Sequence, residues 1–128
     1  MRSDCPVSYA LDFFGDKWTL IVVRDLIQGK QFYKDFQSSQ EGIATNILSD
    51  RLKKLEKMGL IEWKVFEKLK TKKEYSLTEK GKDLIPVLIE LIVWSNKHQD
   101  GLAVSDYFIK RAKEDREGLI ETIRARLN

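Results

Sequence analysis

Apolar residues recur at three- and four-residue spacing through most of this chain, the mark of helices that bury one face. Val7, Ala10, Leu11 and Phe14 form one such stripe, opened by Cys5 at a cap position and Pro6 at the first helical position, and closed by Gly15. Asp16 is the expected cap of a second helix, Lys17 to Gln28, with Trp18, Ile21, Val22 and Leu26 on its buried side and Gly29 as its stop. A short third helix holds Phe32 and Phe36, four residues apart. After Gly42 comes a fourth, with Ile47, Leu48, Leu52, Leu55 and Met58 facing inward. Leu60 to Phe66 and Lys73 to Leu77 have strand composition and are joined by a loop with neither Gly nor Pro. Thr78 then caps a long helix running to about His98, in which Pro86 predicts a bend. Beyond a break at 99–104, Ser105 to Leu127 reads as helix, with Phe108, Ile109, Ala112, Leu119, Ile120, Ile123 and Leu127 along one side and Gly118 as a weak point.

The pattern therefore predicts five or six helices and one hairpin, a mainly α chain of α+β class. Helix, strand and basic hairpin in that order make a winged helix-turn-helix. Two apolar C-terminal helices are more than a small monomer needs, so they are expected to serve dimerisation. Residues 1–98 are read as the winged helix-turn-helix domain, and 99–128 as a helical extension that adds dimer contact.

Charge sharpens the picture more than composition does. The net charge is only +3, but residues 44–57 carry +2 and residues 64–73 carry +4, leaving −3 on the rest. Such segregation is the footprint of a phosphate-binding face. Lysine-rich turns also serve solubility alone, which keeps a second reading open for the loop. On the exposed face of the fourth helix, Thr45, Asn46 and Ser49 occupy the first turns, where base edges are reached; Asn pairs bidentately with adenine. Arg51, Lys53 and the loop residues Lys68, Lys70, Lys72 and Lys73 suit phosphates, which set affinity and register. Ser49 could instead bond backwards within its helix, and Arg51 could tie down the fold through an acid such as Asp25.

Other chemistries find little support. One histidine and one cysteine offer no metal cluster, no cofactor motif is present, and no catalytic set can be assembled, so no enzyme is expected. No apolar run approaches the roughly 18 residues a membrane span needs. The N-terminal segment has acids within its apolar part and no small-residue cleavage site, so no signal peptide is expected. A lone cysteine fits the reducing cytoplasm. A winged helix used only for protein contacts is the alternative function, but it would need an apolar recognition face, and this one is polar.

Three motifs in order resemble the HxlR family of bacterial winged-helix transcriptional regulators, relatives of the MarR group. They are CPVSYALDFFGDKWTLIVVRDL from Cys5, GIATNILSDRLKKLEKMGLIEW from Gly42 and EYSLTEKGKDLIPVLIELIVW from Glu74, so that the match runs from Cys5 to Trp94, about 90 of the 128 residues. The resemblance implies a homodimer, with recognition helices in successive major grooves of a two-fold symmetric operator. Repression is the expected sign of regulation. Relatives often have serine where Ala44 stands, so Thr45 is the expected substitute cap; they often have a basic residue in place of Asn46 and a proline in the wing loop. The resemblance also places Cys5 where some members carry a sensor of oxidants or electrophiles. A thiol at a helix N-terminus feels the positive end of the dipole. Without a second cysteine, its products would be an intersubunit bridge, a mixed disulfide or an alkylated adduct. Cys5 as a small packing residue is the competing role. A small-molecule or oxidant signal is thus part of the expectation.

Overall fold

The computed structural model describes residues 3–127, which form two compact units, 3–81 and 82–127. The first contains α1 (Pro6–Phe14), α2 (Lys17–Ile27), α3 (Tyr33–Gln37), α4 (Thr45–Lys57), β1 (Ile61–Val65) and β2 (Lys73–Leu77), and ends within the short α5 (Glu79–Lys82). The second contains α6 (Ile85–His98), α7 (Asp106–Glu114) and α8 (Arg116–Arg126). This is the expected mainly helical chain with one antiparallel hairpin, in the register Ile61 opposite Leu77 through Val65 opposite Lys73.

In the first unit α2 and α4 face each other, and α2 also meets β2. Val22, Val23, Leu26, Leu48, Leu52 and Leu55 are buried on the helices, with Ile61 and Leu77 on the strands. The stripe on α2 is offset by one residue from the expected one. Thr19, Val22, Val23 and Leu26 are buried, whereas Trp18 and Ile21 stay half-buried. Thr19 can be buried because both its hydroxyl and its N–H are satisfied by Asp16, at 2.6 and 3.2 Å.

The end of α4 shows why its glycine is needed. The Leu60 N–H reaches the Leu55 carbonyl at 2.9 Å and the Gly59 N–H the Glu56 carbonyl at 3.0 Å, a Schellman closure that requires Gly59 at φ 77°. The turn sends the chain directly into β1. Between the strands, Phe66 N–H to Lys72 O (2.8 Å), Leu69 N–H to Phe66 O (3.1 Å) and Lys72 N–H to Leu69 O (2.9 Å) close the loop without Gly or Pro.

Two expectations for the C-terminal half are corrected. The helix expected from Thr78 to His98 is interrupted at Asp83 and Leu84, and Pro86 lies in the first turn of α6 rather than inside a bent rod. Proline lacks an N–H and crowds the carbonyl four residues back, so it breaks an interior turn but suits a first one. The tail is likewise two helices. Asp115, at φ −148° and ψ 59°, ends α7 and caps α8 by accepting from the Gly118 N–H at 3.2 Å. Gly118 is therefore no simple weak point: a Cβ there would stand 2.2 Å from Asp115 Oδ2 and 2.7 Å from Arg111 Nη2. Ile109, Ala112 and Leu119 are buried in this unit, while Phe108, Ile120, Ile123 and Leu127 are half-buried. Arg116 meets Glu90 and Arg124 meets Asp83, both at 2.6 Å, linking α8 to α6 and its approach.

Candidate nucleic-acid interface

α3, the turn at 38–44 and α4 form a helix-turn-helix, with the hairpin as wing. On α4, Thr45, Asn46 and Lys53 are exposed and Ser49 is half-buried. Ala44 is the N-cap and supplies no side-chain acceptor; Thr45 is the first helical residue, not the substitute cap expected of it. The leading N–H groups of α4 are thus left without a side-chain cap, at the end of the helix where its dipole is positive.

Ser49 does not bond back along its own helix. Its hydroxyl lies 3.0 Å from that of Tyr33, which itself donates to the Thr45 carbonyl at 3.1 Å. Arg51 is tied into the fold, and its acid is Asp16 rather than Asp25. Its Nε donates to Asp16 Oδ2 at 2.7 Å and its Nη1 to Asp50 Oδ2 at 2.6 Å, with Lys54 Nζ 3.8 Å from Asp16 Oδ1. Burial pushes the Asp16 carboxyl up, but bonds from Arg51 and Thr19 outweigh it and hold the group well below the usual carboxylate range. One side chain thus caps α2 and anchors α4, joining the GDKWT and LSDRLKK motifs.

Asp25 serves a second anchor. It is 1% exposed and accepts from Arg24 Nη2 at 2.8 Å, with Lys30 Nζ at 3.6 Å. Arg24 also grips Glu41 through both oxygens, at 2.7 and 2.8 Å, and Ser39 donates to the same carboxylate at 2.5 Å. Hydrogen bonds from Arg24 and Ser39 hold Glu41 well below its ordinary value. Bidentate pairing fixes orientation as well as distance, so the turn entering α4 is set from α2.

The four wing lysines divide into two kinds. Lys68 and Lys70 are exposed on the loop. Lys72 is half-buried, its ammonium 4.0 Å from the Phe32 ring centroid, and Lys73 lies 4.2 Å over Trp63. The first contact holds the wing stem against the start of α3, and the second joins the two strands of the hairpin.

Sequence reasoning missed Tyr33, and it missed what the YSLTEKG motif does. The Thr78 hydroxyl donates to the Gly59 carbonyl at 2.6 Å and accepts from the Gly81 N–H at 3.1 Å. Lys80 Nζ donates to the Met58 carbonyl at 3.0 Å, a cation at the negative end of α4. Both residues lie about 20 positions from their partners, and no local pattern announces such pairing. Cys5 is exposed at the N-cap of α1, its N–H bonded to Ser3 Oγ at 3.1 Å. Among the described residues no group of His, Cys, Asp and Glu could hold a metal ion, and no helix is long and apolar enough to cross a membrane.

A helix-turn-helix with a two-stranded wing is a winged-helix fold, and the known proteins that this chain resembles are transcriptional regulators. The sequence profile described as HxlR-like helix-turn-helix matches residues 13–102, and the chain belongs to that family. It is 38% identical over 96 residues to the uncharacterised HTH-type transcriptional regulator YdeP of Bacillus subtilis strain 168, covering 75% of both chains. Among solved structures, the redox regulator HypR in its oxidised form shares 32% identity at a TM-score of 0.67, over 76% of this chain and 100% of HypR. A transcriptional regulator of Porphyromonas gingivalis W83 assigned to the MarR family shares 28% at 0.67, over 77% and 97%.

Proposed function

We propose that the protein is a homodimeric repressor that binds a palindromic operator in double-stranded DNA. α4 enters the major groove, and the wing lies along the phosphates. The observation that carries this reading is the polar face of α4, Thr45, Asn46 and Lys53, exposed within the helix-turn-helix of a regulator family. Thr45, Asn46 and Ser49 address base edges; Lys53, Lys68 and Lys70 address phosphates. Lys72 and Lys73 contribute positive charge from positions stacked on Phe32 and Trp63, and Arg51 from its pairing with Asp16. The uncapped N–H groups of α4 suit a further phosphate.

Two copies are expected because each unit leaves large apolar side chains in solvent. Val7 and Leu11 on α1 are 65% and 54% exposed, and Trp94 on α6 is 63% exposed. A chain that stayed monomeric would keep these in water. Residues 1–98 then serve as the DNA-binding domain and 99–128 as an extension that adds dimer contact, with Leu102 and Tyr107 among its exposed residues.

Affinity for the DNA upstream of its own gene, measured against salt, tests the proposal. Each phosphate neutralised contributes a slope of about −0.9 in log affinity against log salt. Lys68→Ala with Lys70→Ala should weaken binding to all sequences alike and flatten the slope by about 1 per contact removed. Asn46→Ala should instead relax preference at particular base pairs, by about tenfold. A flat slope for the unaltered protein would defeat the reading.

Cys5 is the proposed signal input, through oxidation or alkylation of its exposed thiol; the likeness to the redox regulator HypR supports it. Diamide should release the unaltered protein from its operator and leave a Cys5→Ser variant bound. Equal release of both would remove Cys5 from the mechanism.

A further inference from the structure

Tyr33 is the first residue of α3 and is half-buried against the start of α4. Its hydroxyl touches two oxygens of that helix, the Thr45 carbonyl at 3.1 Å and Ser49 Oγ at 3.0 Å. A phenol has one proton to give, and a carbonyl oxygen can only accept. The Tyr33 proton therefore goes to Thr45 O. The short contact to Ser49 is then satisfied only if Ser49 donates to Tyr33 Oη. A serine hydroxyl ordinarily serves a base as donor or acceptor, whichever is wanted. Here its single proton is already committed, and only lone pairs remain for anything approaching from solvent.

From this geometry we infer that Tyr33 is a specificity-determining positioning residue. It holds Ser49 in the acceptor sense, so that Ser49 selects a base presenting an exocyclic amine in the major groove, the N6 amine of adenine or the N4 amine of cytosine. The acceptor edges of guanine and thymine find no donor there. The inference rests on α4 being the recognition helix and adds the polarity with which one of its residues reads. Thr45 and Ser49 lie one turn apart on the same side of α4, so Tyr33 sits beside the very turns assigned to base reading. The neighbouring Asn46 carries both donor and acceptor on one amide; an acceptor-only Ser49 therefore adds discrimination that Asn46 does not duplicate.

The test is selection from a library of operator half-sites by the unaltered protein, Tyr33→Phe and Ser49→Ala, at one salt concentration. The unaltered protein should favour adenine or cytosine at one base pair per half-site by about fivefold, the worth of one net hydrogen bond. Ser49→Ala should lose that preference. Tyr33→Phe frees the Ser49 proton, so it should accept guanine or thymine at that same pair while keeping its salt slope and every other preference. Removing the amine from the favoured base, with purine for adenine or 2-pyrimidinone for cytosine, should weaken the unaltered protein and spare Ser49→Ala. Three results overturn the inference: unchanged base preference in Tyr33→Phe, a guanine or thymine preference at the Ser49 pair in the unaltered protein, or altered preference at many pairs, which would mark a general shift of α4. An unaltered protein with no sequence preference and a flat salt slope would instead defeat the DNA-binding reading itself.

Discussion

Gly81→Ala is expected to destabilise the N-terminal unit by about 3 kcal/mol, the upper part of the usual range for forcing an atom into packed structure. Propensity alone predicts the opposite sign, since alanine in a helix is favoured over glycine by about 1 kcal/mol. The difference is space. A Cβ on Gly81 would lie 2.1 Å from the Leu60 carbonyl oxygen and 2.9 Å from Leu77 Cδ2. The first of these is backbone, pinned by its bond from the Thr78 N–H at 3.1 Å, so it cannot swing aside as a side-chain tip could. Relief would require α5 to back away from the end of α4, pulling Thr78 off Gly59. Urea unfolding of both proteins checks this through the shift in midpoint at constant slope. A variant as stable as the parent would show that α5 does not rest on Leu60 and Leu77 as described.

Arg24→Met should cost a similar amount, about 3 kcal/mol. Removing one partner of a buried ion pair typically costs about 3–5 kcal/mol, and the lower figure applies because Arg24 keeps roughly a third of its side chain in water. The loss is uneven. Asp25, almost wholly buried, retains only Lys30 at 3.6 Å, whereas Glu41 retains the Ser39 hydroxyl. The change should also alter the acid response. Glu41 is held below its ordinary value by Arg24 first and Ser39 second, so the folded state binds its proton less readily than the unfolded chain does. Its stabilising contribution is complete above about pH 5 and is lost as pH falls through the ordinary carboxylate range toward the lowered folded value. Arg24→Met removes the larger cause, so the decline in stability between pH 5 and pH 3 should become shallower. Asp16, held down by Arg51 and Thr19, keeps its own share of the decline in both proteins. Identical acid dependence in the two would sink the account of Glu41.

Both changes act on the placement of α4 rather than on residues assigned to DNA, which makes them useful controls. A variant of either kind should lose operator affinity only in proportion to its unfolded fraction, unless α4 is displaced in the folded state. Substitutions at Asn46, Lys68 or Lys70 lie on exposed positions and should leave unfolding nearly unchanged.

Much of the fold was legible because its signals are local. Cys5-Pro6 opens α1, Asp16 caps α2, Gly29 and Gly59 end α2 and α4, and strand composition marks β1 and β2. Each signal lies within a turn or two of the feature it sets. The interruption at Asp83–Leu84 reads in the sequence as a bend at Pro86, because proline marks either a kink or a helix start, and sequence alone does not say which. The corner at Asp115 was overlooked because an aspartate inside a polar stretch looks like any solvated residue until its carboxylate is seen to cap α8.

The candidate interface shows the same division more sharply. Exposure of Thr45, Asn46 and Lys53 follows from the periodicity of α4 itself, since leucines at 48, 52 and 55 commit the opposite face to the core. What Arg51, Ser49, Lys72 and Lys73 do could not be read that way. Each has several chemically equal partners in the sequence; Asp16, Asp25 and Asp50 were all available to Arg51. The chain alone thus determined which elements form and which face of α4 meets solvent, because periodicity, caps and glycine stops act over a few residues. Only the tertiary structure decided that Asp16 holds Arg51, that Tyr33 holds Ser49 and that Thr78 closes the end of α4. Those choices depend on how close segments 15–35 residues apart are brought by packing, and distance in space is not written in the order of residues.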